Sequence, residues 1–580
     1  MSTGSRSERL PIKLPVIAGL GILCVIILAV MLFWYLPGTA PAPHANATVH
    51  VKIVGVNDFH GYMPPGQVMN NRPVGSAPVL ASYLTSAMAP GNADGIIFAL
   101  PGDVIGNSPP QSSLLLDEPA MVFFNSFANG DCSVGSKSQS ASCNVVATLG
   151  NNEFDYGLPE LSRMINGGNG NTTIPHIVDP YPGSKLGYVS ANVVRSSGNT
   201  TILPPYTVRN VGGVPVAFIG ATTISTPGLQ NPSDVEGLTF LDEADTINRY
   251  IPEIHRQGVH SIVVLLHEGG NQTPYDGPTR VNETVTGRVT QIIPRLDPGV
   301  DVVLSAHTHE FTNAYLNNNA GKPVLVTQAD MWSRAYADID LIIDKNTGEI
   351  VSKSARIVPA YADQPPGTRP EPAATALLLR EESLYASAAN QTIGVALWNI
   401  TMEENPAGES AMGDMVADGA RAAMKTDVGF DISTDIRAGL SAGNITWNNV
   451  YAVQPAGGTI LSMTLTGEQI RSALEQQWQE PAPEGNLIVS GLAYTWNASQ
   501  PAGSKVARVN VNGVPLNPKT TYTVSIESFL VSGGTGYTIF SGGQNITTGY
   551  DNTDTLVSYV QSLPQPVNVT VDGRVQRIGS

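Results

Sequence analysis

The feature that most constrains the fold of this chain is a strand-like apolar run followed by acid, amide or imidazole side chains, which occurs five times. The five segments read HVKIVGVNDFHG, GIIFALPGDVIG, CNVVATLGNNEFD, SIVVLLHEGG and DVVLSAHTHEF. Loops at the ends of neighbouring strands converge in space. The pattern predicts an α/β or layered sheet-and-helix domain over about residues 48–358, with one site built from five distant segments.

The polar residues of these segments are of the types that bind divalent cations. Carboxylate and amide oxygens mixed with imidazoles suit zinc, manganese or iron. One carboxylate, for which Asp103 is the candidate, would bridge two ions about 3.5–4 Å apart, and such a pair would neutralise the charge on a phosphoryl group. Each piece alone is more often structural, and only their ordered combination indicates a metal site. The candidate site residues at the ends of the five apolar runs are Asp58, His60, Asp103, Asn151, Asn152, Asp155, His267, His307 and His309.

The length of the chain and a proline-rich break in its pattern predict a second domain. At 580 residues the chain is too long for one hydrophobic core. A proline-rich stretch over residues 359–372 and a helix-like pattern to residue 389 predict a linker and connector helix, followed by a second α/β domain over residues 390–580. The net charge of -17 argues against a nucleic-acid partner but not against a nucleotide substrate, because bound cations supply local positive charge.

Residues 1–47 predict a cytoplasmic tail, a membrane anchor and a linker. Arg6, Arg9 and Lys13 precede an uncharged apolar run over residues 14–36, which is long enough to cross a bilayer core of about 30 Å. Basic residues on the N-terminal side predict that everything after Pro37 lies outside the cytoplasm. The alternative is a cleaved signal peptide and a secreted protein.

Cysteines and glycosylation sequons also favour an extracytoplasmic location. Cys132 and Cys143 flank a polar loop and are expected to form a disulfide in an oxidising compartment; two free thiols are the alternative. Glycosylation of the sequons is a hypothesis. The eleven Asn-x-Ser/Thr sequons begin at Asn46, Asn171, Asn199, Asn271, Asn282, Asn390, Asn399, Asn444, Asn497, Asn545 and Asn568.

With these motifs in order, the chain resembles the 5'-nucleotidase family. The resemblance runs from VNDFHG to GGTGYTIF and implies a layered β-sandwich metallophosphoesterase domain with flanking helices, followed by a separate mixed α/β substrate-binding domain. It implies two divalent metal ions, zinc, manganese or similar. One ion would be held by Asp58, His60, Asp103 and His309, and the other by Asp103, Asn151, His267 and His307.

The resemblance also identifies departures around the catalytic residues. Asn152 stands where the family has a histidine that assists the transition state together with an aspartate, here Asp155. An amide donates a neutral hydrogen bond but cannot transfer a proton, and losing such a group costs roughly 10²–10⁴-fold in rate. We therefore expect a slower enzyme, or one that selects substrates with good leaving groups.

In the C-terminal half, the resemblance implies that Arg437 contacts phosphate and that Phe529 stacks on a base. Ala456 stands where the family has the other aromatic ring of the pair, in a Pro-Phe-Gly motif, and Thr535 replaces an aspartate that would bind ribose hydroxyls. The family usually has an arginine just before the Gly-Glu-Ser segment, and this chain has Pro406, Ala407 and Gly408 there instead. These differences predict altered specificity.

The sequence thus predicts a membrane-anchored, outward-facing phosphoester hydrolase acting on a small phosphate ester, in the first instance a 5'-nucleotide. Two alternatives remain open. One is the same metal chemistry on a cyclic nucleotide, another phosphodiester or a sulfur oxyanion. The other is a cell-surface binding protein with weakened catalysis. No feature of the sequence fixes an oligomeric state.

Overall fold

The structure, a computed structural model, describes residues 1, 47–135, 140–170, 174–198, 200–230, 232–274, 276–281, 284–455, 458–483, 485–531 and 535–579. The predicted anchor over residues 14–36 lies outside this set, as do Ala456 and the sequons at Asn46, Asn171, Asn199 and Asn282. Within the described ranges, no helix combines the length and apolar character that a membrane span needs. Residues 49–580 form one compact unit.

The first domain contains sixteen strands among its described residues. They are β1 (Thr48–Gly55), β2 (Gln67–Met69), β3 (Arg72–Val74), β4 (Gly95–Leu100), β5 (Val145–Thr148), β6 (Gly187–Val189), β7 (Val193–Arg195), β8 (Tyr206–Val211), β9 (Val214–Thr222), β10 (Leu238–Phe240), β11 (Ser261–His267), β12 (Val300–Ser305), β13 (Phe311–Asn317), β14 (Pro323–Ala329), β15 (Ala335–Asp344) and β16 (Ile350–Pro359).

Helices flank these strands. They are α1 (Ala77–Ala87), α2 (Pro110–Ser113), α3 (Glu118–Asn125), α4 (Gly157–Asn166), α5 (Thr226–Leu229), α6 (Glu243–Arg256) and α7 (Val289–Ile292), with 3-10 turns at Asn152–Phe154 and Ile293–Arg295. In α6, the side chain of Asp242 caps the N-terminus by accepting a hydrogen bond from the backbone N–H of Asp245.

Two six-stranded sheets organise the domain. One has the order β16-β15-β1-β4-β5-β6, and the other β13-β14-β12-β11-β9-β8. The central pairs β1–β4, β4–β5, β9–β11 and β11–β12 are parallel. Every residue of β11, SIVVLLH, is buried, as expected of a strand covered on both faces of its sheet.

Hydrophobic residues fill three layers of this domain. A cluster containing Ile53, Ile97, Phe218 and Val263 lies between the two sheets. Separate clusters form where the first sheet packs against α1, α3 and α4, and where the second sheet packs against α6 and α7. The predicted layered β-sandwich with flanking helices is therefore confirmed.

The connector is helix α8, Pro372–Ala389. Strand β16 ends at Pro359, and this helix lies within residues 359–389, for which a linker and connector helix are predicted. Ala374 and Leu378 of α8 belong to the core that covers the first sheet, so the helix packs on the first domain before the chain enters the second.

The second domain is a separate mixed α/β domain, as predicted. Its strands are β17 (Thr392–Ala396), β18 (Val428–Ile432), β19 (Gly443–Thr446), β20 (Thr459–Thr466), β21 (Leu487–Ser490), β22 (Leu492–Asn497), β23 (Val506–Val511), β24 (Val514–Pro515), β25 (Thr521–Glu527), β26 (Gln544–Asp551) and β27 (Val575–Ile578). Its helices are α9 (Ala411–Met424), α10 (Trp447–Tyr451), α11 (Gly467–Gln476), α12 (Ser528–Val531) and α13 (Asn552–Ser562), with 3-10 turns at Ser433–Asp435 and Thr538–Gly542.

A five-stranded sheet of order β21-β18-β25-β20-β26 and a four-stranded sheet of order β24-β23-β22-β27 carry the second core. Phe430, Leu465, Ile526 and Phe540 are buried in it. Helix α9 begins at the capping side chain of Ser410, which accepts from the backbone N–H of Gly413.

The structure also locates the disulfide and the described sequons. Cys132 and Cys143 are joined by a disulfide beside the polar loop. Of the seven described sequon asparagines, only Asn497 is half-buried. The exposed ones are Asn271, Asn390, Asn399, Asn444, Asn545 and Asn568.

Candidate metal centre

The five predicted segments meet at one edge of the first domain. Strands β1, β4 and β5 are neighbours in the first sheet, and β11 and β12 are neighbours in the second. His267 is the last residue of β11, and the other predicted donors follow their strands within five residues. Because the strands in each group run parallel, their carboxyl ends lie side by side and bring all five loops together.

The first group of donors comprises Asp58, His60, Asp103 and His309. One ligand atom from each lies within 4.8 Å of the others. The Nε2 atoms of His60 and His309 are 2.9 Å apart, and His60 Nε2 lies 3.6 Å from Asp103 Oδ2. Asp58 and Asp103 are almost completely buried. This group has the composition of one cation site.

The second group shares Asp103 with the first. Asp103, His267 and His307 also place ligand atoms within 4.8 Å of one another. His267 Nε2 lies 3.1 Å from Asp103 Oδ2 and 3.2 Å from the amide oxygen of Asn151. All seven predicted metal donors thus belong to one cluster in two groups, with Asp103 at the junction.

The imidazole rings are oriented as metal-ligating histidines usually are. His60 Nδ1 lies 2.7 Å from the carbonyl oxygen of Gly106, and His267 Nδ1 lies 3.0 Å from that of Pro101. A hydrogen bond from Nδ1–H to a carbonyl fixes the tautomer and leaves Nε2 unprotonated and available to a cation. The residues present therefore fit a pair of divalent ions.

Backbone conformation supports the same interpretation. Five of the seven donors have positive φ: Asp58 (50°), His60 (48°), Asp103 (51°), His307 (77°) and His309 (56°). Non-glycine residues rarely adopt this conformation, and each instance costs of order 1–3 kcal/mol. Such strain persists where the surrounding structure holds the side chains in a geometry that function requires.

Electrostatics give the cluster its donor character. Burial opposes ionisation of Asp103, but the imidazoles of His267 and His60 hold the pKa of its carboxyl well below the usual range. Burial lowers the pKa of His307 to about 4 and also lowers the pKa of His309. Although burial lowers it, the carboxylate of Asp103 raises the pKa of His267 to about 10. Without a cation, Asp103 therefore favours a protonated His267, and this proton would have to leave before Nε2 could bind a cation.

Asn152 lies beside the centre and contacts Asp155. Its Nδ2 donates to both carboxylate oxygens of Asp155, at 3.2 and 3.3 Å, and its backbone N–H donates to Asp103 Oδ1 at 2.9 Å. Asp155 also accepts from the backbone N–H of Asn107 at 2.7 Å. The amide therefore keeps the aspartate as its partner, although it has no proton to transfer.

Glu153 is a supporting residue that the sequence analysis did not single out. Its buried carboxylate accepts from the backbone N–H groups of Asp103 at 2.9 Å and Val104 at 2.7 Å, and also from that of Gly150. It therefore ties the loop after β4 to the loop after β5. The close approach leaves no room at Gly150, where a Cβ would lie 2.0 Å from Asp103 Oδ1. The only sequence signal was its position within GNNEFD.

A stacked aromatic pair borders the centre and was also missed. The rings of Tyr62 and Trp332 lie 4.1 Å apart between centroids at an interplanar angle of 18°. The backbone N–H of Trp332 donates to the carbonyl of Asp58 at 2.6 Å. Tyr62 follows the Asp58 loop, but Trp332 is distant in sequence, so the sequence carried no signal for the pair.

The residues predicted to position substrate lie in the second domain. Arg437 is exposed after the 3-10 turn Ser433–Asp435 and forms no ion pair with any residue that the structure describes. Phe529 lies in α12, partly buried against the second core, and its N–H donates to the Glu527 carboxylate at 2.9 Å. Neither residue belongs to the metal-donor groups. The two domains touch where Thr548 Oγ1 of β26 donates to the Gly228 carbonyl of α5 at 3.0 Å.

Family models cover both domains. The calcineurin-like phosphoesterase model matches residues 51–311, and the model "5'-nucleotidase, C-terminal domain" matches residues 387–542. Endonuclease YhcR of Bacillus subtilis is 32% identical over 547 residues, which are 93% of this chain but only 41% of that protein. Cell wall protein Lmo0130 of Listeria monocytogenes is 34% identical, with 90% of this chain and 69% of the relative covered.

A solved structure shares the whole architecture. The 5'-nucleotidase precursor from Thermus thermophilus is 26% identical with a TM-score of 0.50, and the match covers 91% of this chain and 99% of that one. Together with the matches to both domains, this likeness confirms the resemblance predicted from the motifs. The chain belongs to the 5'-nucleotidase family of metal-dependent phosphoester hydrolases.

Proposed function

We propose that this chain binds two divalent ions at the Asp103 cluster and releases phosphate from small phosphate esters, with 5'-nucleotides as the first substrate class. The observation that carries the proposal is the convergence of two donor groups on one shared, buried carboxylate. A bridging carboxylate between two cations is the arrangement used for in-line displacement at phosphorus.

The ions would polarise the phosphoryl oxygens and activate water for attack. The protein's own residues hold the donors in place. Glu153 fixes two ligand loops through their backbone N–H groups, and the carbonyls of Gly106 and Pro101 fix the imidazoles of His60 and His267. Zinc and manganese suit this mixture of oxygen and nitrogen donors.

Asn152 would donate a neutral hydrogen bond toward the phosphoryl or leaving-group oxygen. Its contact with Asp155 holds the amide in a defined orientation. Because an amide cannot protonate a departing alkoxide, turnover should depend strongly on the pKa of the leaving group. Esters with acidic leaving groups would then be the faster substrates.

In the second domain, Arg437 would contact phosphate as a bidentate donor, and Phe529 would stack on the base. The residue at the position of the family's ribose-binding acid is Thr535, which is buried and uncharged. Nucleoside recognition would therefore be weaker than in relatives that retain the acid.

We place the catalytic domains outside the cytoplasm, held by the N-terminal segment over residues 14–36, with secretion after cleavage as the alternative. The disulfide between Cys132 and Cys143 and the exposed sequons support this location. The exposed sequons would carry glycans in a host that attaches them.

A second candidate activity keeps the ions and changes the ester. The 32% identity with Endonuclease YhcR and the replacement of the catalytic histidine by Asn152 favour a phosphodiester or cyclic nucleotide. A third candidate, a binding protein with weakened catalysis, is supported by the likeness to Cell wall protein Lmo0130.

Product formation by the purified full chain with manganese or zinc tests these candidates, measured as phosphate release for monoesters, p-nitrophenol release for the nitrophenyl esters, and chromatography of the nucleotide products. The panel is AMP, ADP, UDP-glucose, 2',3'-cyclic AMP, p-nitrophenyl phosphate and bis-p-nitrophenyl phosphate. Turnover of AMP that disappears in Asp103→Asn would support the nucleotidase. Turnover restricted to the diesters and cyclic ester would support the second activity. Ion uptake without any turnover would contradict both and leave the binding protein.

A further inference from the structure

A small cavity in the second domain has one wall at residues 406–408, where the arginine of the family's substrate pocket is missing, and is lined by none of the other residues assigned to phosphoester chemistry. It lies between the segment that precedes α9 and the strand β22, and its volume is about 230 Å³. Its walls include Glu404, Gln477, Trp478, Asn486, Tyr494 and Trp496. None of the seven metal donors lines it, and neither do Arg437 and Phe529. The cavity therefore needs a separate explanation.

Two indole rings form its apolar wall. Trp478 and Trp496 pack with their centroids 5.0 Å apart, and both are half-buried. Trp496 Nε1 donates to the carbonyl of Ala407 at 3.1 Å, which fixes this ring against the loop on the opposite side of the cavity. Partly exposed tryptophans held in one orientation provide apolar contact area at a low entropic cost.

The loop opposite the indoles is held by its own hydrogen bonds. Asn405 Oδ1 accepts from the backbone N–H groups of Ala407 at 2.8 Å and Glu409 at 3.2 Å. The backbone N–H of Gly408 donates to the carbonyl of Asn405 at 2.9 Å. Both walls of the cavity are thus fixed before any ligand arrives.

The polar groups of the cavity have unused hydrogen-bonding capacity. The hydroxyl of Tyr494 is buried and accepts from Gln477 Nε2 at 3.3 Å, but its own hydrogen has no acceptor among the described residues. Asn486 Nδ2 donates to one oxygen of the exposed Glu404 carboxylate at 2.7 Å, so the other oxygen remains available. Burial raises the pKa of Tyr494 to about 12, which keeps its hydroxyl a donor at neutral pH.

The charge and size of the cavity restrict its ligand. No lysine or arginine occurs among the described residues that line it, and Glu404 adds a negative charge, so phosphates and carboxylates are disfavoured. Arg577 lies over the ring of Trp496 at 5.3 Å but does not line the cavity. The volume is below the roughly 300–1,000 Å³ of sites for drug-sized ligands, which points to a ligand of a single ring.

We propose that this cavity binds one neutral sugar unit, either free or at the end of a glycan. A pyranose presents hydroxyls that both donate and accept, which matches the Tyr494 donor and the amide and carboxylate groups of Asn486 and Glu404. Its apolar C–H face suits the indole wall. The cavity would make the second domain a carbohydrate-binding module in addition to a substrate domain.

Saturation-transfer-difference NMR of the full chain with methyl glycosides of glucose, galactose, mannose and N-acetylglucosamine tests the proposal. A ring of about 12 non-hydrogen atoms at ordinary ligand efficiency binds with a dissociation constant of about a few millimolar. We expect saturable binding of at least one glycoside. Absence of saturation for all four up to about 50 mM, more than tenfold above that constant, would overturn the proposal.

Substitutions in the cavity wall test whether the glycoside binds there. Glu404→Gln should weaken it about tenfold, the effect of losing a hydrogen bond to a charged group, whereas Glu403→Gln on the adjacent exposed residue should not. Trp478→Ala should abolish binding, and the control is Trp398→Ala, at an exposed tryptophan. Equal affinity in Glu404→Gln, Trp478→Ala and the unaltered chain would contradict the assignment.

The result is independent of the proposed phosphoesterase activity. Asp103→Asn should bind the glycoside with unchanged affinity while it loses phosphate release. Displacement of the glycoside by AMP would instead show that the cavity belongs to the phosphoester site, and the proposal would fail.

Discussion

Seven donor side chains converge in the first domain, whereas Arg437 and Phe529, the predicted substrate residues of the second domain, belong to neither donor group. In the first domain Asp103 joins the two donor groups, Glu153 holds two of the ligand loops, and two backbone carbonyls orient the imidazole rings. In the second domain Arg437 is exposed and Phe529 is partly buried against the core. Removing one buried charged group leaves its neighbours as unpaired buried charges, whereas an exposed recognition residue can be substituted without that cost. We therefore predict that this chain keeps its metal centre and differs from its relatives in selectivity.

The most severe test of the comparison is removal of the shared carboxylate. Asp103→Asn should reduce phosphate release by at least about 10³-fold, because both donor groups lose their common charge and metal-ion stabilisation is worth several kcal/mol. The initial rate with AMP and p-nitrophenyl phosphate measures the effect. Asp276→Asn, at an exposed site, is the matched control. Full activity in Asp103→Asn would show that the cluster is not the reactive centre.

Replacing Asn152 by histidine tests whether the missing acid limits the reaction. Asn152→His should raise kcat by about 10²-fold on AMP, whose leaving group needs a proton, and by less on p-nitrophenyl phosphate. Asn152→Ala removes the hydrogen bond without adding a proton donor and serves as the control. If Asn152→His gives no gain on any phosphate ester, the missing acid does not limit the reaction.

Substitution of Glu153 tests whether its hydrogen bonds to the ligand loops are needed for metal binding. Glu153→Gln should lower the affinity for zinc or manganese by about 10–100-fold, the usual cost of losing an outer-shell partner of a metal ligand. Metal titration by calorimetry measures this, and Glu349→Gln, on an exposed turn, is the control. An unchanged affinity would show that the two loops hold their geometry without the carboxylate.

The smallest expected effect lies in the second domain. Phe529→Leu keeps an apolar side chain but loses stacking, so KM for nucleotides should rise about fivefold, the lower end of the stacking contribution. KM for p-nitrophenyl phosphate, which has no base, should not change. Equal increases for both substrates would indicate a packing effect at this position and would remove Phe529 from base recognition.

The sequence was sufficient to predict the layered architecture and the position of the donors. Runs such as SIVVLLH favour buried strands, and parallel neighbours place the residues that follow them at one edge. The order β1-β4-β5 in one sheet and β12-β11 in the other brought Asp58 and His307 together across the chain.

Other parts of the site depend on contacts that no local pattern encodes. Trp332 reaches the Asp58 loop only because β14 and β15 return to the two sheets, and Glu153 is distinguished from a surface glutamate only by the backbone N–H groups around it. The sugar-sized cavity forms between residues 404–408 and β22, segments that lie far apart in sequence and are joined through the Trp496–Ala407 hydrogen bond.

The positive φ angles of five metal donors have a consequence for how the protein would respond to selection. At the partly exposed His307 and His309 glycine would relieve the backbone without leaving a buried charge unpaired, so a screen for heat resistance alone should favour chains that lose histidine there. Stability and turnover would then diverge at these two positions. Engineers seeking a hardier variant should therefore hold these positions fixed and look for improvement elsewhere.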